Sequence, residues 1–282
     1  MGERENCRHR RNHSVKSRDN VTANNPPESF SKRLNRAKVL IRRAEKITVF
    51  TGAGISTESG LSDFRSPGGV WDRYRIVTYQ EFLESPGARR EYWRMKHALY
   101  GELKNASPNR AHRALAALEQ MGKLHCLITQ NIDGLHQEAG NDPARVIELH
   151  GTNRKALCLD CQKSWPIAQI HESLAENDFD PRCDGCTGLV KPATISFGQA
   201  MPEGELLQAF TGAADCSLFL MIGSSLQVEP AASIPAMAHQ EGAALIFMNR
   251  TETPLDHLAA IIFREEIGDV LERLLADGHR TR

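Results

Sequence analysis

The chain has no charge imbalance. Its 35 Lys and Arg stand against 35 Asp and Glu in 282 residues. A balanced surface makes no long-range field for holding a polyanion, so composition argues against a nucleic-acid partner. No apolar run approaches the roughly 20 residues that cross a bilayer, so no membrane association is expected. The N-terminal stretch lacks the apolar segment of a secretory signal, and its acids count against a transit peptide. No segment repeats at a fixed period. With 40% hydrophobic and 25% charged residues, what remains is an ordinary globular profile, long enough for one large domain or two smaller ones.

Residues 1–28 are polar, with Asn-Asn-Pro-Pro near their end, and are expected to be a disordered tail. From Phe30 the pattern changes. Leu34, Ala37, Leu40, Ile41 and Ala44 recur at helical spacing. Six short apolar runs follow: ITVFT from Ile47, LHCLIT from Leu124, VIEL from Val146, SLFLMIG from Ser217, ALIFM from Ala244 and AIIF from Ala260. Helical patterns separate several of them, as over Pro108–Met121 and Ser233–Glu241. Strands apolar throughout and alternating with helices predict an α/β fold, a Rossmann-like parallel sheet with helices on both faces. Residues 29–65, 105–150 and 192–282 would make this domain. Two excursions would build a smaller lobe, 66–104 helical and 151–191 carrying cysteines.

Of the seven cysteines, four form two Cys-x-x-Cys pairs, Cys158/Cys161 and Cys183/Cys186; Cys7, Cys126 and Cys216 are scattered. Paired thiols without a secretory signal indicate a metal site in a reducing, cytoplasmic setting and not a disulfide framework. Four thiolates fill the tetrahedral sphere of Zn2+ and leave no position for water, which marks a structural metal. His150, eight residues before Cys158, is then not needed as a ligand.

The apolar runs end in small or hydrogen-bonding residues: Gly52-Ala53-Gly54-Ile55-Ser56, Gln130-Asn131-Ile132-Asp133, His150-Gly151, Gly223-Ser224-Ser225 and Asn249-Arg250. Ligands of open parallel sheets bind outside the carboxyl ends of the strands, so these five ends are the expected site. Gly52-x-Gly54 before a helix would bring backbone amides to a diphosphate. The third glycine of the dinucleotide fingerprint is absent, with Thr57 in its place. The turn-rich stretch GLSDFRSPGGVW, from Gly60 to Trp71, follows immediately and is expected to be a flap over the ligand.

GAGISTESGLSDFR, TQNIDGLHQEAG, ELHG, the paired Cys-x-x-Cys, ISFGQAMP, GSSLQVEP and MNRT, in this order, resemble the sirtuins, the NAD-dependent protein deacylases. The likeness runs from about Lys46 to Phe263, and PNRAHRALAALEQMGKLHCLITQNIDGLH is similar to the class II, mitochondrial-type branch. The resemblance implies that NAD is a co-substrate: the acyl group of a lysine passes to ADP-ribose and nicotinamide leaves. It implies His150 as general base on a ribose hydroxyl and Asn131 as a second catalytic residue. Gly52, Ala53 and Gly54 would meet the diphosphate, with Ser56 and Glu58 beside them. Asp63, Phe64, Arg65 and Trp71 would cover the nicotinamide ribose; Gln130, Asn131, Ile132 and Asp133 would meet ribose and carboxamide; Gly223, Ser224, Ser225, Asn249, Arg250 and Ile267 would hold the adenosine half. An acyl-lysine protein or peptide would add as a strand between Phe197–Gln199 and Ser225–Glu229. Gln199 stands where many members carry an acid.

The branch of the family that removes succinyl groups carries Tyr-x-x-Arg on one helical face. Here REYWRMKHALY pairs Tyr92 with Met95 and Trp93 with Lys96, so no guanidinium fork is available for an acyl carboxylate. Neutral acyl groups are expected to be favoured. Trp93 and Met95 would line the acyl pocket, unless Trp93 only packs the small lobe. Three other readings stay open. A mono-ADP-ribosyltransferase or NAD glycohydrolase would use the same pocket. A non-catalytic zinc interaction module would use none of it, and a nicotinamide dehydrogenase would want the missing glycine.

Overall fold

The computed structural model describes residues 28–276; the expected tail, Glu28 apart, lies outside the described residues. Six strands, β1 (Ile47–Thr51), β2 (Leu124–Thr129), β3 (Val146–Glu148), β7 (Leu218–Ile222), β8 (Ala244–Met248) and β9 (Ile261–Phe263), make one sheet in the order β3-β2-β1-β7-β8-β9. Every pairing in it is parallel. The strands coincide with the six apolar runs. Each buries both faces: in β7, Leu218, Leu220 and Ile222 join one core, while Phe219 and Met221 join the other. Helices α1 (Phe30–Arg43), α5 (Arg110–Gln120) and α10 (Ile267–Leu275) cover the first face; α8 (Glu203–Ala214) and α9 (Ile234–Gln240) cover the second. Each enclosed aliphatic side chain contributes about 1.5–3 kcal/mol over exposure, an upper bound given compact unfolded chains.

The smaller lobe combines two insertions. The first holds α2 (Val70–Arg73), α3 (Tyr79–Glu84) and α4 (Pro86–Asn105); Thr78 and Glu81 form a capping box that starts α3, and Ser85 caps α4. The second holds an antiparallel sheet in the order β5-β4-β6, made of β4 (Gly151–Cys158), β5 (Ser164–Pro166) and β6 (Val190–Thr194), with α7 (Ile167–Ser173) packed on it. Phe82, Tyr92 and Trp93 from α3 and α4 share one core with Trp165, Ile170 and Val190. The expected division between 191 and 192 falls inside β6, because Thr194 pairs with Gly151 and the small sheet continues to that point. Trp93 is fully buried and gives its indole N–H to the Val190 carbonyl at 3.2 Å. It packs the small lobe and does not line an acyl pocket.

Candidate active site

The sheet order places the chain reversal between β1 and β7: the chain steps outward from β1 to β2 and β3, then returns to β7, β8 and β9. Such a switch point opens a crevice above the strand ends. The loops leaving β1 and β7 cross there with almost no separation. Gly54 gives its amide to the Gly223 carbonyl at 2.9 Å. A Cβ on Gly54 would stand 2.8 Å from Gly223 Cα, and one on Gly52 would stand 2.7 Å from Gly223 O. Gly223 itself has φ +65°. The Gly-x-Gly is therefore needed for loop-on-loop packing as well as for any ligand.

The expected α-helix after it is a 3-10 turn, Ala53–Ser59, closed by Gly60 at φ +83°. Thr57 Oγ1 donates to the Gly54 carbonyl three residues back, at 3.0 Å. Local side-chain bonding of this kind favours the tighter winding.

A cleft of about 740 Å³ opens over this crossing, within the usual range for small-molecule sites. Its wall carries Gly52, Ala53, Gly54, Asp63, Phe64, Arg65, Trp71, Gln130, Asn131, Ile132, His150, Gly223, Ser224, Ser225 and Asn249. A side chamber of about 110 Å³ adds Ser56 and Asp133 and shares Asn131 and Ile132 with it. Residues from five strand ends thus meet in one place.

His150 follows β3, and Gly151 turns the chain into β4 with φ +69°, where a Cβ would lie 2.1 Å from the Ala193 carbonyl. His150 Nδ1 meets the Gln130 carbonyl at 3.0 Å. A carbonyl only accepts, so Nδ1 carries the proton and Nε2 keeps its lone pair. Burial lowers the imidazole pKa, Gln130 opposes this and Arg65 adds to it. The ring is therefore neutral at neutral pH and suited to act as a base.

Around it the polar groups are tied to one another. Gln130 Nε2 donates to Ser224 Oγ at 2.7 Å, linking the β2 and β7 ends. Asn131 Nδ2 donates to Gly52 O at 3.1 Å and Ser56 Oγ at 3.2 Å, and Ser56 Oγ donates to Asp133 Oδ2 at 2.8 Å. Asn249 Nδ2 reaches Thr251 O at 2.9 Å.

In the flap, Asp63 accepts from the Arg65 and Ser66 amides at 3.0 and 2.8 Å and from the Ser66 hydroxyl. Burial alone would raise the Asp63 pKa, but these bonds outweigh it and hold the carboxyl below its ordinary value. Phe64, Trp71 and Phe197 follow one another with ring centroids 5.3 and 5.8 Å apart, an aromatic wall along one side of the cleft.

Three expected cofactor residues stay outside both cavities. Glu58 turns to Arg110 Nε at 2.8 Å and the Gly268 amide at 3.0 Å, fastening the 3-10 turn to α10. Arg250 pairs with Glu266 at 2.5 Å, and Ile267 begins α10 next to it, packed against the aliphatic core. An ion pair and a helix start already occupy these groups.

Tyr92 and Lys96, read from the sequence only for the acyl pairing, border the cleft, as do Thr194 and Ile76, which had no sequence signal. Tyr92 Oη lies 3.3 Å from Thr194 Oγ1, and buried Lys191 gives its ammonium to the Thr194 carbonyl. Burial would raise the Tyr92 phenol, but Lys191 and Lys96 bring it down to about 7. Gln199, where an acid is common in the family, closes a turn that a carboxylate could close as well. Its Oε1 accepts the Ser196 amide at 3.1 Å and its amide returns to Ser196 O at 3.0 Å, closing a turn on the cleft rim.

The four cysteine sulfurs lie within 4.8 Å of one another, with Cys158–Cys186 at 3.5 Å and Cys161–Cys183 at 3.6 Å. Four thiolates about 2.3 Å from a tetrahedral zinc stand about 3.8 Å apart, so the set fits that ion. His150 is not among these donors.

Residues 52–230 match the model of the Sir2 family. The chain belongs to that family. It is 52% identical to an NAD-dependent protein deacetylase of Thermodesulfovibrio yellowstonii, over 88% of this chain and 96% of that one. It is 46% identical to NAD-dependent protein deacetylase 1 of Bradyrhizobium diazoefficiens, over 82% and 91%. A solved Sir2 with a p53 peptide and NAD+ superposes with TM-score 0.79 at 33% identity, covering 90% of this chain and 100% of the other. The resemblance read from the motifs and the parallel-sheet fold are both borne out. In this Sir2 protein the small lobe also grips the loop after β2: the Asn153 amide donates to Ile132 O at 2.9 Å and Arg154 Nη2 to Gly134 O at 2.6 Å.

Proposed function

We infer that the protein is an NAD-dependent protein-lysine deacetylase. The observation that carries this reading is His150, neutral and held by Gln130 with Nε2 unprotonated, on the wall of a cleft built over the β1/β7 loop crossing. NAD as co-substrate supplies the bond to nicotinamide that breaks, and its ADP-ribose takes the acyl group. Gly52, Ala53, Gly54, Gly223, Ser224 and Asn249 bind it, and Asn131 with Asp133 orients its reactive end. Asp63, Phe64, Arg65 and Trp71 form a cover that excludes water. His150 Nε2 takes a proton from a ribose hydroxyl. The acyl-lysine peptide lies between Phe197–Gln199 and Ser225–Glu229, whose residues other than the core Leu226 border the cleft.

Cys158, Cys161, Cys183 and Cys186 hold one Zn2+, which closes the small lobe and has no position for water. The two lobes have the boundaries read from the sequence, with the small sheet extended to Thr194. Among the described residues no helix is long and apolar enough to cross a membrane; the free thiols of Cys126 and Cys216 support our reading of a reducing, cytoplasmic setting.

Mass spectrometry of products from NAD and an acetyl-lysine peptide tests the reading. O-acetyl-ADP-ribose and nicotinamide should form in equal amounts. Free ADP-ribose with intact peptide, or ADP-ribosylated protein, would replace it with a glycohydrolase or a transferase.

A further inference from the structure

Neither His112, on α5, nor His136, on α6 (Leu135–Glu138), borders the cleft, yet both are buried beneath it. Thr51 and Thr129 end β1 and β2, and Thr51 Oγ1 donates to Thr129 Oγ1 at 2.8 Å. The other contact of Thr51 Oγ1 is His136 Nε2 at 3.0 Å. A hydroxyl has one proton, so His136 is the donor there, protonated on Nε2 and bare on Nδ1. In His112 the Nδ1 accepts the Asn109 amide at 3.3 Å, so its proton is on Nε2.

The two remaining atoms, His136 Nδ1 and His112 Nε2, are buried without a hydrogen-bond partner. The rings stand 4.9 Å apart, inclined at 57°. One side has a donor with no acceptor, the other an acceptor with no donor. A small ring rotation or one bridging water would join them, and leaving either buried atom unpaired is costly.

We propose that His136, oriented by His112, is a positioning residue for Asn131, acting through Thr51 and Thr129. The chain ends on the Asn131 amide, which donates to Thr129 Oγ1 at 3.0 Å. That bond sets the backbone from which Asn131 Nδ2 reaches Gly52 and Ser56. The Asn131 carboxamide oxygen is then the group turned over to the co-substrate. A hydroxyl relay works in one direction only if the imidazole at its head holds one tautomer. Burial supports this by taking His112 down to about 4, against Asp133 and Glu58 and with Arg113, and by lowering His136 well below its ordinary value. Both rings stay neutral where the enzyme would work.

The inference rests on the reading of Asn131 as an NAD contact, and two kinds of measurement separate the two. In the wild-type enzyme, 15N NMR of the His136 imidazole should show a neutral ring protonated on Nε2 from about pH 5 to 8. The opposite tautomer would overturn the chain whatever the activity. Kinetically, T51V and H136L should each lower kcat/KM for NAD about tenfold, the scale of one lost hydrogen bond, with KM for peptide unchanged. The double variant should be no worse than either single one. H136Q, whose amide donates from the place of Nε2, should recover most of the loss. Wild-type kinetics in T51V, additive losses, or equal losses in H136Q and H136L would refute the positioning role. T51V is isosteric and decides the matter if H136L does not fold. Should the wild type form no O-acetyl-ADP-ribose, the functional reading fails, and the T51V effect on NAD affinity by calorimetry still decides the chain.

Discussion

The sheet domain and the small lobe are held together differently. The sheet domain has two broad, largely aliphatic cores, one on each face, assembled from mostly apolar strands whose few buried hydroxyls, such as those of Thr48 and Thr51, are hydrogen-bonded. The small lobe has one core, rich in aromatics and drawn from separate segments of chain. It adds polar fastenings: the cysteine set, and buried Arg89, which forks onto Asp180 at 2.7 and 3.2 Å and also caps the Phe82 and Leu83 carbonyls. A small core buries too little surface to hold two separate insertions by itself, so specific links take over. Those links are all-or-none where apolar packing is graded. The cleft shows a different division: His150, Asn131 and the glycine crossing stand at the ends of sheet strands, while the small lobe supplies wall residues such as Trp71, Tyr92 and Met95 and grips the loop after β2.

The sharpest test of this contrast is C183S. Loss of one thiolate should cost most of the metal affinity, of order 10 kcal/mol for structural zinc. We expect substoichiometric zinc and rapid proteolysis confined to residues 66–104 and 151–194, with the parallel sheet resistant. A folded, metal-free variant of full activity would contradict the division. H150A should do the opposite. It should keep one zinc per chain and wild-type thermal stability while deacetylation falls about 10²–10⁴-fold, the usual worth of a general base. Zinc loss in that variant would make His150 part of the metal site.

Acid should weaken both regions together, because each buries a neutral imidazole. Burial takes His112 in the sheet domain and His171 in the small lobe to about 4 from 6.5, His97 and Lys96 adding to the effect on His171. In the unfolded chain these rings take up protons as pH falls through 6.5; in the folded protein they do not until about 4. The unfolded state therefore binds more protons in that window, and stability drops from pH 6.5 to 4. Thermal melts across this range should fall steadily, and H112Q should flatten the slope. An unchanged slope would remove His112 from the account.

The smallest effect concerns the acyl group. Met95 and Tyr92 border the cleft, and the cations beside Tyr92, Lys96 and Lys191, are point charges without a fork. Acetyl-lysine should be turned over faster than succinyl-lysine on one peptide, by kcat/KM. A succinyl preference of about tenfold, about 1.4 kcal/mol, would reverse this reading.

Features that are local along the chain were legible in it. Runs apolar at consecutive positions became the six parallel strands, because a strand covered on both faces tolerates no polar alternation. Two Cys-x-x-Cys pairs named their own metal, and ELHG put a histidine at a strand end. The small antiparallel sheet was not visible: β4 reads GTNRKALC, with exposed Arg154 and Lys155 amid its buried residues, and its pairing with β6 joins positions nearly forty residues apart. The helix α8 escaped because Leu207, on its outer side, stands 69% exposed and blurs the apolar face. Glu58 was expected at the cleft because its neighbours in sequence line it, whereas it bonds Arg110 and Gly268 from distant helices.

The sequence alone determined the strands, the cysteine set and the place of a histidine at a strand end, since each depends on spacing within a few residues. Tertiary structure alone decided what those groups would touch. Gly54 against Gly223, Gln130 against Ser224, and His136 against Thr51 are contacts between chain segments that only the order of strands brings together. Proton positions on His150 and His136 follow from those contacts, because an imidazole's tautomer is set by whichever neighbour accepts its hydrogen bond.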